Sequence, residues 1–247
     1  MENQEKISGN VKLESPFLKK LENFWYHYKW HTIIILFTIV VILILSIQML
    51  TKTKYDGYIL YAGHHEIKRT SSDGDTPPYN AIMSKLESIC GDTNGDGKTN
   101  LSFLNLFVVN KEEEDLFDTT PGEQLNTTLI QEDTEKLQQT LIYGEYYLCF
   151  LSERIFRDYE ALYGGKIFTD IRSYAEGVEC EFASDKGIYL RSLDFYSIPE
   201  ISALPDDTVV CLRAISEVSG KMNRQDNEKA FARGEEMLIA LINFNKK

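Results

Sequence analysis

Apolar positions are distributed along this chain in two very different ways. From Thr32 to Leu50 there is no charge, and only Thr38, Ser46 and Gln48 add polarity to a run of Ile, Leu, Val and Phe. At about 1.5 Å per residue this stretch makes a helix roughly 28 Å long, close to the hydrocarbon thickness of a bilayer. A soluble helix of that length would show a polar face, and this one shows none. The aromatic residues Phe24, Trp25, Tyr26, Tyr28 and Trp30 precede it and suit a headgroup interface.

Beyond Leu50 the apolar runs are short and separated by turn residues. Residues 51–57 read as a polar tether. Tyr58–Ala62 reads as a buried strand ended by Gly63, with a polar loop through Ser71, Gly74 and Pro77-Pro78 after it. Tyr79, Ile82, Leu86, Ile89 and Cys90 stand at helical spacing, which predicts a helix from near Pro78. Leu101–Val109 is apolar on both faces, as in an internal strand, and Lys111–Thr120 reads as an acidic connector. A helix is expected over 132–143 with Gly144 as its stop, then a strand over Tyr146–Leu151. Ser152 is placed to cap a third helix, which Gly164-Gly165 ends. The stretch 166–183 shows no clear period. Gly187–Leu190 and Thr208–Ile215 read as strands, and Asn223–Phe244 as a closing helix.

Strand–helix alternation of this kind predicts an α/β domain with a mostly parallel sheet flanked by helices, preceded by one transmembrane helix. The expected organisation is an N-terminal segment over 1–31, the span over 32–50, the tether over 51–57 and the domain over 58–247. Lys12, Lys19, Lys20 and Lys29 lie before the span, against Lys52 and Lys54 just after it. That bias puts the N-terminus in the cytoplasm and the domain outside it. A cleaved signal peptide fits less well, because its basic region would exceed thirty residues and no A-x-A-like site follows.

Charge narrows the partners. The whole chain carries a formal charge of −12, and residues 51–247 hold 21 basic and 34 acidic side chains, or −13. Such a surface repels nucleic acid and anionic headgroups. The expected contacts are membrane lipid through residues 32–50, an envelope protein partner, and alternatively a small solute. Cys90, Cys149, Cys180 and Cys211 show no CxxC or zinc-knuckle spacing. Cys149 and Cys211 sit in apolar runs that read as buried strands. Outside the cytoplasm a disulfide is permitted, and sequence leaves all three complete pairings open.

Two local patterns carry candidate chemistry. His64-His65-Glu66 follows the first strand, where α/β sheets place ligand contacts, but adjacent histidines on extended chain point apart and read as an exposed loop. Asp92-Thr93-Asn94-Gly95-Asp96-Gly97-Lys98-Thr99-Asn100 resembles the first nine positions of an EF-hand-type or dockerin-type calcium loop. The resemblance implies Asp92, Asn94, Asp96, the Lys98 carbonyl and Asn100 as calcium ligands. Position 12 is Phe103 rather than a carboxylate, which implies weak affinity unless Glu112–Asp115 reach in. The same residues also favour a metal-free turn. GxSxG, HExxH, GxxxxGK[ST] and GxGxxG are all absent, so no catalytic residue is assigned.

The segment Asp133–Ser152 resembles part of bacterial extracytoplasmic solute-binding proteins, in which a helix ends at a Gly-acidic pair and runs into an apolar strand. The overall layout is similar to a group of small membrane-anchored bacterial proteins. They share an FWYxYKWH-like approach to the anchor, here Phe24–His31, and a DxNGDGK loop, here Asp92–Lys98. These resemblances imply a sheet domain like one lobe of a binding protein and bring no activity with them. The sequence therefore points to a membrane-anchored, non-enzymatic binding or assembly domain. The alternatives are a reduced solute receptor and a degenerate metal-dependent enzyme using Asp92, Asn94 and Asp96.

Overall fold

The computed structural model describes residues 16–50, 55–69, 78–118, 125–216 and 224–245. The first fifteen residues, tether positions 51–54, the Ser71–Pro77 loop, residues 119 and 120 of the acidic connector and Asn223 lie outside them. The chain divides into two compact units, 1–53 and 54–247.

In the first unit, one continuous helix, α1, runs from Pro16 to Leu50. Within it Asn23–Met49 is long and apolar enough to cross a membrane, with mean hydropathy 2.8 and none of its most apolar stretch buried by protein. Two of its hydroxyls are satisfied internally: Thr38 donates to the Ile34 carbonyl at 2.9 Å and Ser46 to the Ile42 carbonyl at 2.7 Å. That i−4 pairing is what a polar side chain needs where water is absent. The helix begins well before the apolar run, because Phe24–His31 continue the same helical backbone. Phe24 and Tyr28 stack along it at 5.3 Å between ring centres.

The second unit is an α/β domain. Its elements are β1 (Gly57–Gly63), α2 (Pro78–Cys90), β2 (Leu101–Phe107), α3 (Lys111–Asp118), α4 (Thr127–Tyr143), β3 (Leu148–Ser152), α5 (Glu153–Leu162), β4 (Phe182–Ser184), β5 (Gly187–Tyr189), β6 (Thr208–Leu212) and α6 (Arg224–Ile242). Six strands form one sheet in the order β2-β1-β3-β6-β5-β4. The first three run parallel, with Gly57–Gly63 in register against Leu101–Phe107 and Ile59–Ala62 against Leu148–Leu151.

The expectation of a mostly parallel sheet needs correction, because β6, β5 and β4 pair antiparallel. After α5 the chain does not return as a strand beside β3. It passes through a 3₁₀ turn at Arg172–Ala175 and a tight β4–β5 hairpin, and only then supplies β6, running against β3. The sheet is mixed, with two parallel pairings and three antiparallel ones. A second correction concerns the acidic connector expected over Lys111–Thr120, of which Lys111–Asp118 is a helix. Asn110 and Glu113 cap it reciprocally, each accepting the other's backbone N–H at 2.8 Å.

Side chains alternate across the sheet into two cores. Ile59, Tyr61, Phe103 and Phe150 pack under α2 and α6 on one face. Leu60, Ala62, Leu106, Cys149 and Cys211 pack under α4 and α5 on the other. Burial of both faces is why the strands read as unbroken apolar runs. Gly234 lets α6 lie directly on β3: a Cβ there would stand 3.0 Å from Tyr147 Cβ and 3.2 Å from the Leu148 nitrogen.

Candidate functional site

The Asp92–Asn100 loop lies at the N-terminal end of β2, and the structure gives it a hub that the sequence did not suggest. Asp56, just ahead of β1, is 3% exposed. Its Oδ1 accepts the N–H groups of Thr93 and Asn94 at 2.9 and 3.0 Å and the Thr93 hydroxyl at 2.9 Å. Its Oδ2 accepts the Asn100 N–H at 2.8 Å, and its own N–H donates to the Asn100 carbonyl at 2.7 Å. Burial works to raise the pKa of this carboxyl, but the donors from Asn100, Thr93 and Asn94 together outweigh it and hold it below the usual value.

Within the loop the expected ligand side chains make Asx-type turns. Asp92 accepts the N–H groups of Gly95 at 2.7 Å and Gly97 at 2.8 Å, one on each carboxylate oxygen. Asn94 Oδ1 takes the Asp96 N–H and Asp96 Oδ1 takes the Lys98 N–H. Gly95 and Gly97 both have positive φ and open space where a Cβ would stand. The loop is an exposed surface turn. Glu112–Asp115, the expected source of a completing carboxylate, begin beyond the other end of β2. That seven-residue strand separates them from the loop by roughly 20 Å. Among the described residues no group of three or more His, Cys, Asp or Glu side chains gathers as a metal site requires.

The same N-terminal edge holds a second buried charge. Arg213 is 0% exposed, directly after β6. Its guanidinium donates to the carbonyls of Tyr146 and Leu141, both at 3.2 Å, and to that of Gly144, and lies 4.2 Å over the Tyr147 ring. It thereby closes the C-terminal end of α4, where free carbonyls and the helix dipole favour a cation.

The opposite edge is a topological switch point. From β1 the chain crosses through α2 to β2 on one side, and from β2 through α4 to β3 on the other, so the two connections cover opposite faces. In parallel sheets such a point, here beyond the C-terminal ends of β1 and β3, is where ligands bind. His64 and His65 stand there after β1, Ser152 at the end of β3 with Glu153 just after it, and Asp207 just ahead of the antiparallel β6. His64 Nδ1 lies 3.8 Å from an Asp207 carboxylate oxygen. The Tyr61 hydroxyl reaches over Gly63, about 3.0 Å from where a Cβ would be. Burial, then the Asp207 charge, push that phenol far above its ordinary pKa.

Two arginines at this edge are committed. Arg154 holds Glu113 through two bonds of 2.9 Å, and Arg157 holds Glu153 at 2.7 Å. Ser152 is not committed. It is 3% exposed, its hydroxyl has no hydrogen-bond partner among the described residues, and it does not cap α5 as its position predicts.

The expected calcium ligands thus share one exposed loop, while the histidine pair lies on the opposite edge. Asp56 and Arg213 were not anticipated. Arg213 had a signal, a lone charge inside an apolar run. Asp56 had none, since its partners are 37 to 44 residues away. Comparisons with protein-family models, curated proteins and solved structures find no match to this chain.

Proposed function

We propose that this chain is a membrane-anchored binding or assembly domain, held on the extracytoplasmic side by α1, that docks a protein partner rather than turning over a substrate. The observation that carries this reading is the pairing of a 27-residue apolar helix, unburied by protein, with a separately packed α/β unit. The acidic surface favours partners with basic faces over nucleic acid. Chemical cross-linking of the full chain in native membranes tests the proposal. One discrete envelope protein should be captured, and competition with soluble domain should reduce the yield. Turnover in a hydrolase or transferase screen, with no specific cross-link, would overturn it.

A second reading, a reduced solute receptor like one lobe of a binding protein, is favoured by the switch-point topology and by the buried Ser152 hydroxyl, which has no hydrogen-bond partner among the described residues. Thermal-shift screening against sugars, amino acids and peptides separates the two. Strong stabilisation by one solute, lost in Ser152→Ala, selects the receptor. A calcium ion on Asp92, Asn94, Asp96, the Lys98 carbonyl and Asn100 is compatible with either reading, since a carboxylate oxygen that accepts one N–H keeps a further lone pair.

A further inference from the structure

Cys149 and Cys211 face each other across the seam at which the sheet changes from parallel to antiparallel. They are register partners in the β3–β6 ladder, both 0% exposed, and both belong to the core beneath α4 and α5. The phase of the ladder is fixed at both ends, since Arg213 N–H donates to the Tyr147 carbonyl at 2.8 Å and Glu153 N–H to the Asp207 carbonyl at 2.9 Å. Counting inward by twos makes Cys149 and Cys211 a hydrogen-bonded pair. Opposite Cα atoms in such a pair are about 5.5 Å apart, within the range of about 4.4–6.8 Å that a disulfide spans. The other two cysteines are on the far side of the sheet, with Cys90 and Cys180 packed against the core under α2 and α6. Of the three complete pairings open to the sequence, only the one containing Cys149–Cys211 keeps this facing pair together.

We propose that Cys149 and Cys211 form a reversible dithiol–disulfide couple which, when oxidised, ties the parallel half of the sheet to the antiparallel half. The oxidant is an external disulfide, and its supply rests on the proposed extracytoplasmic placement of the domain. One cysteine thiolate attacks the external disulfide, giving a mixed disulfide on the chain and one released thiol. The second thiolate then attacks the chain-borne sulfur, forming the Cys149–Cys211 bond and releasing the second thiol. Two electrons pass to the external disulfide, and the two cysteine protons end on the released thiols.

Two physical features make the couple reversible and slow in the folded chain. Directly opposite Cβ atoms stand about 4.5–5.5 Å apart, whereas a disulfide prefers about 3.8 Å, so the strands must close by roughly 1 Å and the bond is strained. Both sulfurs are also buried, and burial followed by the neighbouring Cys149 thiol keeps Cys211 protonated. Oxidation therefore proceeds through separation of β6 from β3 or during folding.

The test uses the full chain in detergent. It is unfolded, reduced, and refolded across a series of oxidised-to-reduced glutathione ratios, after which free thiols are alkylated in denaturant and peptides are mapped. The expected result is a linked Cys149–Cys211 peptide pair at oxidising ratios that reverts at reducing ones, with Cys90 and Cys180 alkylated throughout. A Cys90→Ser/Cys180→Ser double variant should keep the link. Alkylation of Cys149 and Cys211 at every ratio, or a link to Cys90 or Cys180, would overturn the proposal. Acid-trapping of thiols in whole cells separates the chemistry from the placement. A link formed in vitro supports the couple, and a reduced pair in cells then counts only against the extracytoplasmic reading.

Discussion

The two edges of the parallel half-sheet treat their polar groups in opposite ways. At the N-terminal edge, two buried charges are spent on backbone: Asp56 gathers the N–H groups of a loop, and Arg213 gathers the carbonyls at the end of α4. At the C-terminal edge, Ser152 is buried with no hydrogen-bond partner among the described residues, and His64 and Asp207 approach only to 3.8 Å. The edge bearing the most recognisable motif is thus occupied in holding itself together. The other edge, which carries only the His64-His65-Glu66 pattern, keeps unused hydrogen-bonding capacity at the place where parallel sheets bind ligands.

Substitutions should break this contrast unequally. Arg213→Leu removes donors from three carbonyls around the end of α4 and is expected to cost about 4 kcal/mol in urea denaturation. Arg213→Lys should recover only part of that, since an ammonium lacks the planar fork. Asp56→Ala should cost about 3 kcal/mol by freeing three amides and the Thr93 hydroxyl. In Asp56→Asn, one amide donor must face the side-chain NH₂, and an intermediate loss is expected. If either residue proves silent, the N-terminal edge is not held as described.

Acid sharpens the Asp56 part of the comparison. A carboxyl depressed in the folded state contributes stability that is fully present above its unfolded pKa of about 3.9 and lost as pH falls through the lower folded value. The stability gap between wild type and Asp56→Asn should therefore be constant from pH 7 to pH 5 and shrink below about pH 4. A gap independent of pH would show that the carboxylate charge contributes nothing.

Smaller effects probe what remains unused. Calcium at ten times its dissociation constant would add about 1.4 kcal/mol, and Asp96→Ala should abolish that increment. A calcium titration with no shift in Tm leaves the loop as a turn held by Asp56 and by its own Asx-type bonds. Ser152→Ala should change stability by under about 0.5 kcal/mol in either direction, because it removes a hydroxyl that has no partner. A loss above about 1 kcal/mol would mean that the hydroxyl is bonded and the two edges are alike.

Much of the parallel half was legible because its signals are local. Pro78 opens α2, Gly144 closes α4, Gly164 and Gly165 take positive φ after α5, and β1 to β3 are apolar on both faces. The antiparallel half was not, because β4 and β5 are three residues each, too short for alternation to register. Helix α3 was hidden by its own acidity, although the Asn110–Glu113 spacing that caps it is plain in hindsight. The calcium-like spacing was visible, but its dependence on Asp56 was not, since that pairing spans 37 to 44 residues of chain.

Both edges matter for function only if the domain stands where the first unit would put it. The most direct measurement is alkaline carbonate extraction of membranes from cells producing the full chain. The account predicts that the chain, with its N-terminus intact, stays in the membrane pellet and is released only by detergent. Recovery in the carbonate supernatant, or as a secreted form trimmed past Leu50, would contradict it.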